Sequence, residues 1–358
     1  MKESKSSHLL CWKKSNMPLK VFLDQSPLSN GHAIRGIGMY TRFLHEALQK
    51  DKSIELVESA KEAQVIHYPF FDLFSPSLPL FSKTRTIVTI HDVIPLLFPK
   101  YYPLGKKARL NFFRQKLALR KVDAVITDSE ASKIDIAKHL RVPLDKIKVV
   151  YLAGNPQIQA VSETIQSRVR RKYKLPQRFL LYVGDINYNK NLPQLIKALK
   201  FLPEQIKLVM VGKNFREQDI PEWQRIQVQI ALSSVAKRVK FINNLDTRAM
   251  EDLSAIYSMS LAYVQPSLYE GFGLPVLEAM ACRTPVICHD NSSLGEIVLN
   301  KAILSNSATA EDFAQSVEEV LTWSQAKRDE FTKKAKRYAA SFTWRKTAQN
   351  TIKVYEKE

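Results

Sequence analysis

Two glutamates in the segment PSLYEGFGLPVLEAM are the first residues whose types and spacing could do chemistry. Glu270 follows the apolar run SLAYVQ, and we expect it at an exposed loop tip. Glu278 lies inside a helix predicted to begin near Leu274, where an unpaired charge is costly, so hydroxyl groups of a ligand are candidate partners. The amides of Gly271 and Gly273 would face a phosphate at the amino end of that helix. The segment predicts a ligand with hydroxyl and phosphate groups.

Two further segments carry candidate binding residues. TIHDVIPL places His91 and Asp92 at the carboxyl tip of a predicted strand, where they could bind hydroxyl groups or pair with each other for structure. The loop after LKVFLD carries Gly31, Gly36 and Gly38 ahead of the helical pattern MYTRFLHEAL. These glycines either let the backbone come close to a bound phosphate or only form turns. Because the spacing is not GxGxxG and no acidic residue follows at the right distance, a dinucleotide site is disfavoured. The seven histidines form no HExxH or similar set, so we predict no metal site.

The elements that must position these residues repeat twice along the chain. Short β-branched runs alternate with helical patterns, which predicts parallel sheets covered by helices on both faces. The predicted strands are residues 19–24, 63–68, 85–90, 123–128 and 147–152, and then 178–184, 206–212, 238–243, 260–265 and 284–289. Because open α/β sheets bind ligands at the carboxyl ends of their strands, two such domains should form a cleft there.

The polar, basic segment Gly154–Pro176 separates the two sets, and we place a hinge near 154–165. The predicted organisation is an extension over 1–18, a first domain over 19–160, a second domain over 161–340, and a final helix within 341–358 that folds back onto the first domain.

Composition limits the class of protein. A chain of 358 residues, 45% hydrophobic and 25% charged, is typical of a globular protein rather than a disordered or collagen-like one. Cys11, Cys282 and Cys288 show no CxxC spacing, which disfavours a disulfide framework or a thiolate zinc site. The amino-terminal apolar run is too short for a signal peptide, and no window is long enough for a membrane span, so a cytoplasmic location is expected.

The segment E-G-F-G-L-P-x-L-E after a Pro-Ser resembles the hallmark of the retaining glycosyltransferases of family four. GIGMYTRFLHEAL, VTIHDVIPLLFP, VDAVITDSEASK, VGDINYNKNLPQLIKAL, KLVMVGK and SFTW fall in the order that this family shows, over most of residues 19–350. The resemblance implies the GT-B fold, an α/β architecture of two Rossmann-like domains whose parallel sheets face each other across a cleft.

The resemblance also implies a role for several residues. Glu270 would contact hydroxyls of the donor sugar, Glu278 the nucleotide ribose, Lys190 the diphosphate, and His91 the donor sugar. Further substrate-binding positions are Gly36, Gly38, Asp92, Gly184, Asn243, and the backbone amides of Gly271, Phe272, Gly273 and Leu274. In the family the leaving phosphate oxygen helps to deprotonate the acceptor, so the resemblance implies no enzymic base, no cofactor and no metal.

The chain departs from the family pattern at a few positions. Asp185 and Asn189 stand near Lys190 where the family usually has an arginine, so the diphosphate is held by one cation plus amides, or by a second cation such as Lys213. Arg283 stands where glycine is commonest, and Asn243 replaces a glycine beside the base.

Positive charge is concentrated in the first half of the chain. The formal net charge is +19, and residues 106–121 hold seven basic residues and no acidic one. Leu110, Phe113 and Leu117 recur at helical spacing in this segment, so the helix either lies on an anionic membrane surface or packs its apolar stripe on its own sheet.

The sequence does not decide which nucleotide sugar is the donor. GIGMYT and HDVIPL look most like mannosyltransferases that use GDP-mannose in surface-polysaccharide assembly, with a glycan or lipid-linked acceptor, while UDP-hexose enzymes share nearly the same motifs. A catalytically silent GT-B protein is a further alternative. A nucleic-acid-binding protein would fit the basic pI, but no nucleic-acid-binding motif is present, so we expect no nucleic-acid partner.

Overall fold

The structure, a computed structural model, describes residues 17–29, 36–245 and 250–356. The chain divides into two compact units: unit 1 contains the described residues up to Leu152 and those from Thr343 onward, and unit 2 is Ala153–Phe342. The division falls between Leu152 and Ala153, before the boundary at residue 160 that the sequence analysis gave. Gly31, Cys11 and all but the last two residues of the expected amino-terminal extension lie outside the described residues.

Each unit is built on a parallel six-stranded sheet. In unit 1 the strand order is β2-β1-β3-β4-β5-β6, and in unit 2 it is β12-β11-β10-β7-β8-β9. The strands are β1 (Leu19–Leu23), β2 (Ile54–Leu56), β3 (Val65–Tyr68), β4 (Arg85–Thr89), β5 (Ala124–Thr127), β6 (Ile147–Val149), β7 (Phe179–Val183), β8 (Lys207–Val211), β9 (Val239–Ile242), β10 (Ala262–Gln265), β11 (Val286–His289) and β12 (Ile303–Ser305). All ten predicted strands are confirmed; β2 and β12, both three-residue edge strands, were not predicted.

Helices connect the strands. They are α1 (Ser26–Ser29), α2 (Gly36–Leu48), α3 (Ile94–Leu97), α4 (Lys106–Leu119), α5 (Glu130–Leu140), α6 (Glu163–Tyr173), α7 (Leu192–Ala198), α8 (Pro221–Leu232), α9 (Met250–Met259), α10 (Leu274–Ala281), α11 (Ser292–Val298), α12 (Ala310–Leu321), α13 (Gln325–Ala339) and α14 (Trp344–Glu356). Among the described residues no helix is long and apolar enough to cross a membrane.

The cores lie on the faces of the sheets. Strand β7 reads FLLYV, and its first four residues are fully buried, because a parallel strand covered on both faces needs apolar side chains on each. In unit 1 the last helix, α14, completes the core: Trp344 packs against Tyr40 and Phe43 of α2, and Tyr355 is hydrogen-bonded to His67 of β3.

Candidate active site

The loops that follow β7 and β10 meet in unit 2. β7 and β10 are neighbours in the sheet, but the chain continues from β7 to β8 and from β10 to β11, in opposite directions along the sheet. Open α/β sheets bind ligands at such a reversal of strand order, beside the carboxyl ends of the strands. Lys190 ends a short 3-10 turn in the first loop, and Glu270 lies in the second. The Lys190 ammonium contacts both carboxylate oxygens of Glu270, at 2.7 and 2.8 Å.

The Glu270 side chain is buried, which corrects the expectation of an exposed loop tip. It is 7% exposed, and its Oε1 accepts hydrogen bonds from Gln265 Nε2 at 2.6 Å and Ser267 Oγ at 2.5 Å, as well as from Lys190. Gln265 is itself held by the hydroxyl of Tyr263, which donates to Oε1 of Gln265. A buried carboxylate with this many donors has its charge compensated and its position fixed.

Side chains from two other segments of unit 2 fix the loop that carries Glu270 by hydrogen bonds to its backbone. Asn291 donates to the carbonyls of Ser267 and Leu268, and Ser293 donates to the carbonyls of Glu270 and Phe272. Before α7, Asn189 donates to the Tyr269 carbonyl, and its own carbonyl accepts from the Leu268 amide. Asn189, which replaces an expected basic residue, therefore anchors the loop.

Helix α10 begins where the sequence predicted, at Leu274. Gly273 precedes it with φ of 105°, a backbone conformation that side chains with a Cβ adopt rarely, and Pro275 lies in the first turn. A Cβ on Gly273 would lie 2.9 Å from Leu294 Cδ2. Gly271, Phe272 and Gly273 are buried in the turn that leads into the helix.

Glu278 lies one turn further along α10 and is also buried. The Tyr257 hydroxyl donates to its Oε2 at 3.2 Å. Gly154 packs beside Glu278, because a Cβ added to Gly154 would lie 3.7 Å from Glu278 Cγ. Burial raises the pKa of Glu278 from 4.5 to about 7, although hydrogen bonds from Tyr257 and the Asn155 backbone oppose the shift. This carboxyl therefore changes its charge near neutral pH.

Two further predicted residues of unit 2, Gly184 and Asn243, directly follow strands, as does Gly212 between them. Gly184 follows β7, Gly212 follows β8 and Asn243 follows β9. A Cβ on Gly212 would lie 2.1 Å from the Gly184 carbonyl oxygen, so only glycine lets these two turns approach. Asn243 donates to the Phe215 carbonyl at 2.9 Å, and Lys213 is exposed.

In unit 1, His91 follows β4 and lies against the next strand's end. Its Nδ1 donates to Oδ2 of Asp128, which follows β5, at 2.7 Å, and its ring meets the Tyr40 ring edge-on with centroids 4.8 Å apart. Asp92 Oδ1 accepts a hydrogen bond from the Ile94 amide at 2.9 Å, and the Asp92 charge helps to raise the pKa of His91. Gly36 and Gly38 lie in the first turn of α2, because that helix begins at Gly36 and not at Met39 as expected.

Two family models match the chain almost end to end. "Glycosyltransferase Family 4" matches residues 24–157, and "Glycosyl transferases group 1" matches residues 165–338. The chain belongs to glycosyltransferase family four. The resemblance inferred from the sequence is thereby confirmed, and so is the predicted class of nucleotide-sugar-dependent hexosyltransferases.

Relatives and solved structures agree with the family. The glycosyltransferase is 29% identical to O-antigen chain mannosyltransferase B of Escherichia coli, over 76% of this chain and 70% of that one. It is 28% identical to the serotype-specific mannosyltransferase WbdA of Escherichia coli over 78% of this chain, but it spans only 34% of that longer protein. The crystal structure of Anabaena HepE in complex with UDP and glucose has a TM-score of 0.72 and 19% identity, with coverage of 95% of this chain and 99% of that one. The GT-B fold expectation is confirmed.

Sequence reasoning missed residues of the glycosyltransferase that support the candidate site. Gln265, Ser267 and Asp128 were not singled out, although each stands at or just after the end of a predicted strand, the same signal that selected His91. Tyr257 carried no such signal, because it lies in α9 and reaches Glu278 only through the packing of α9 on α10.

Helix α4 of the glycosyltransferase exposes the apolar stripe seen in the sequence. Leu110 and Phe113 are each 61% exposed and Leu117 is 38% exposed, so the alternative in which these three side chains pack on their own sheet is wrong. The helix is buried instead through Gln115, Ala118 and Leu119. The Gln115 amide donates to the Asp72 carbonyl and the Ser77 hydroxyl and so ties α4 to the loop over 71–81.

Arg283 has an unusual backbone in the glycosyltransferase. Its φ is 60°, in the left-handed region that favours glycine, which explains why the family commonly has glycine at this position. Its guanidinium lies 3.6 Å from Asp329 at the surface.

Proposed function

We propose that the protein is a retaining mannosyltransferase that moves mannose from GDP-mannose to a glycan or lipid-linked acceptor in surface-polysaccharide assembly. The observation that carries the proposal is the Lys190–Glu270 pair, which puts a cation and a carboxylate side by side at the ligand-binding crevice of unit 2. A nucleotide sugar needs both, because its diphosphate is anionic and its sugar presents hydroxyl groups. The printed names of the Escherichia coli relatives support mannose as the sugar.

Binding of the donor would redistribute the contacts of this pair. Lys190 follows β7 and its side chain is only 18% exposed, whereas the other cation candidate, Lys213, follows β8 and is exposed, so Lys190 is the cation assigned to the diphosphate. As the sugar–phosphate bond breaks, negative charge grows on the leaving diphosphate, and a prepositioned ammonium stabilises it. Glu270 then accepts hydrogen bonds from donor-sugar hydroxyls while Gln265 and Ser267 keep its carboxylate in place.

The amino end of α10 and Glu278 complete the proposed donor site. The turn Gly271–Leu274 brings backbone close to the sugar and phosphate, and the eight-residue helix behind it favours an anion at its amino end. Glu278 in its ionised form accepts hydrogen bonds from the ribose 2′ and 3′ hydroxyls. Gly184, Asn243 and, in unit 1, Gly36, Gly38 and Asp92 are proposed to contribute to substrate binding.

Transfer is proposed to occur on the face from which the nucleotide leaves. The acceptor hydroxyl oxygen forms a bond to the anomeric carbon, the bond from that carbon to the diphosphate oxygen breaks, and the acceptor proton passes to the leaving phosphate oxygen. The reaction then needs no carboxylate base from the protein and no metal. His91 is proposed to contact the donor sugar through its second ring nitrogen.

A membrane-facing role for α4 forms part of the proposal. The exposed Leu110 and Phe113 are surrounded by the exposed basic residues Lys106, Lys107, Arg109 and Arg114. An anionic membrane surface binds such a helix, because the apolar side chains insert between the lipids and the basic side chains contact the anionic headgroups. We place the enzyme in the cytoplasm, at the inner face of the cytoplasmic membrane, where a lipid-linked acceptor would be reached.

A panel of nucleotide sugars tests the proposal. GDP-mannose at about 100 times its dissociation constant should stabilise the protein by about 2.7 kcal/mol, and UDP-glucose at the same concentration should have a smaller effect. Slow hydrolysis of GDP-mannose should yield α-mannose first, as followed by proton NMR, and should be lost in Lys190→Ala and Glu270→Ala. A preference for UDP-glucose would select the alternative UDP-hexose enzyme, and absence of any hydrolysis or transfer would select the catalytically silent one.

A further inference from the structure

Asp128 and His91 form a pair at the end of the unit 1 sheet. Strands β4 and β5 run parallel and adjacent, with Thr89 opposite Ile126, and the Ile90 amide donates to the Ile126 carbonyl at 2.9 Å. The two residues that follow these strands therefore lie side by side at the same edge. His91 Nδ1 donates to Asp128 Oδ2 at 2.7 Å, a distance typical of a charge-assisted hydrogen bond.

The pair leaves two buried polar atoms unsatisfied among the described residues. Asp128 is 3% exposed, and its Oδ1 has no hydrogen-bond partner; His91 Nε2 is likewise buried without a partner. A half-satisfied buried carboxylate costs stability, and an apolar side chain of similar size would serve a purely structural role better. Of the two atoms, His91 Nε2 is the one that can donate a hydrogen bond to another molecule while Nδ1 stays bound to Asp128.

The surroundings of the imidazole leave it one orientation. The Tyr40 ring stands edge-on to the His91 ring, and a chain of hydrogen bonds fixes Tyr40: its hydroxyl contacts Thr89 Oγ1 at 2.9 Å, Thr89 Oγ1 contacts His67 Nε2 at 2.8 Å, and His67 Nδ1 contacts Tyr355 at 2.7 Å. All four of these supporting side chains are buried. With Nδ1 held by Asp128, the ring nitrogen left for another molecule is Nε2.

The charges around the ring favour its protonated form. Burial lowers the pKa of His91, but the charge and hydrogen bond of Asp128, with the charge of Asp92 and the Pro69 carbonyl, outweigh burial and raise it above 6.5. The other titratable groups that face the ring are His67, whose pKa burial lowers to about 3, and Tyr40, whose pKa burial raises. Both stay neutral near pH 7. Burial raises the pKa of Asp128 itself, while the charge and hydrogen bond of His91 oppose that rise, so the two partners favour each other's charged forms.

We propose that Asp128 is a positioning residue for the transfer reaction, which holds His91 through Nδ1 so that Nε2–H donates a hydrogen bond to an oxygen of the nucleotide-sugar donor. This inference rests on the proposed contact between His91 and the donor. The sugar hydroxyl or phosphate oxygen that accepts this bond satisfies the buried Nε2. Asp128 itself touches no substrate and acts only through the imidazole.

Asp128→Asn tests the inference, because it keeps the size of the side chain and removes its charge. With GDP-mannose as donor, kcat should fall about 10- to 100-fold, the range found when the hydrogen-bond partner of a metal-binding histidine is lost, while the donor KM changes little. Activity of the wild type should decline as pH rises through the His91 pKa. In Asp128→Asn this decline should begin at a lower pH, because the carboxylate that favours the charged ring is gone.

Asp123→Asn is the matched control. Asp123 stands at the opposite end of β5, where its Oδ2 accepts from the Thr86 amide at 2.7 Å, so this variant also removes a hydrogen-bonded carboxylate from the same strand. It should leave kcat and the pH profile unchanged. His91→Gln should lose activity at least as strongly as Asp128→Asn, and the double variant should lose no more than His91→Gln alone.

The outcomes separate this inference from the proposed function. If Asp128→Asn keeps wild-type kcat and pH profile while His91→Gln is impaired, the inference is overturned and the role of His91 stands. If His91→Gln is fully active, the proposed contact of His91 itself fails. Should Asp128→Asn not fold, nitrogen NMR of histidine-labelled wild type, with His91 assigned through His91→Gln, still decides: a bare Nδ1 on His91 at pH 7 would overturn the inference.

Discussion

The Tyr257 hydroxyl donates a 3.2 Å hydrogen bond to Oε2 of Glu278, and both side chains lie buried in unit 2. This contact, with the Asn155 backbone, is what opposes the cost of burying the Glu278 charge. The compensation is incomplete, so the carboxyl stays protonated up to about pH 7 in the folded protein.

Protein stability should show the titration of Glu278. Its pKa rises from 4.5 to about 7 on folding, so its contribution to stability is full at acidic pH and is lost as pH rises through 7. Replacement by glutamine removes this dependence. Between about pH 5 and pH 8, the free energy of unfolding of Glu278→Gln should therefore rise relative to the wild type by about 2 to 3 kcal/mol. Urea unfolding of both proteins at the two pH values measures it, and parallel pH curves would contradict it.

The affinity for the donor should also depend on the ionisation of Glu278, but it should increase with pH, whereas the stability decreases. Only the ionised Glu278 accepts from both ribose hydroxyls, so the dissociation constant of GDP-mannose should rise as pH falls below about 7, by up to about tenfold per pH unit. GDP-mannose suits this titration because its diphosphate has no group that titrates near neutral pH. Calorimetry from pH 8 down to pH 6 measures the affinity. Glu278→Gln, as the control, should bind more weakly than the wild type at pH 8 and should not weaken further as pH falls.

Variants of the Lys190–Glu270 pair should affect stability and transfer activity differently. Lys190→Met leaves a buried carboxylate without its cation, which costs about 3 kcal/mol or more. Adding Glu270→Gln removes the orphaned charge and should restore much of the lost stability, without restoring transfer. Thermal unfolding and mannose transfer measured on the two single variants and the double variant check this. Recovery of activity in the double variant would show that neither charge serves the reaction.

Arg283→Gly should stabilise the protein. A left-handed backbone at a residue with a Cβ costs about 1 to 2 kcal/mol, and glycine removes that strain while adding some freedom to the unfolded chain. The surface contact with Asp329 is worth little. The expected net gain is about 0.5 to 1 kcal/mol in the free energy of unfolding. Asp329→Asn, which removes the ion pair and leaves the backbone alone, is the control and should change stability by less.

Recovery with anionic vesicles should depend on the exposed face of α4. Leu110→Ser and Phe113→Ser together should abolish flotation with phosphatidylglycerol-containing liposomes and leave the melting temperature unchanged, because both side chains are 61% exposed. Leu232→Ser, which alters a 71% exposed side chain of unit 2, is the matched control and should float like the wild type. Wild-type protein that stays behind with both neutral and anionic vesicles would remove the membrane proposal.

Local patterns in the sequence predicted the sheets because each long strand is a continuous apolar run bounded by helical periodicity. The edge strands β2 and β12 escaped because IEL and ILS are too short to show a period, and their pairing with β1 and β11 alone defines them. Helix α2 was predicted to start late because Gly36 and Gly38 look like turn residues when only propensity is considered.

The environment of the candidate site was harder to predict than its members. The motif marked Glu270, but its burial depends on Lys190, which lies 80 positions away and meets it only because β7 and β10 are adjacent. The support of His91 extends further still, since His67 and Tyr355 are 288 positions apart. Contacts of this kind follow from topology and packing and leave no local pattern in the sequence.

The hydrogen bond between His67 and Tyr355 has a consequence for synthesis on the ribosome. Unit 1 is made of two stretches of chain, and α14 supplies the partner that a neutral, buried histidine of β3 needs. Unit 2 is one continuous stretch and has all its strands before α14 is translated. Unit 2 can thus reach its final structure first, while the nascent first half must wait, with an incomplete core, for α14 to emerge from the exit tunnel.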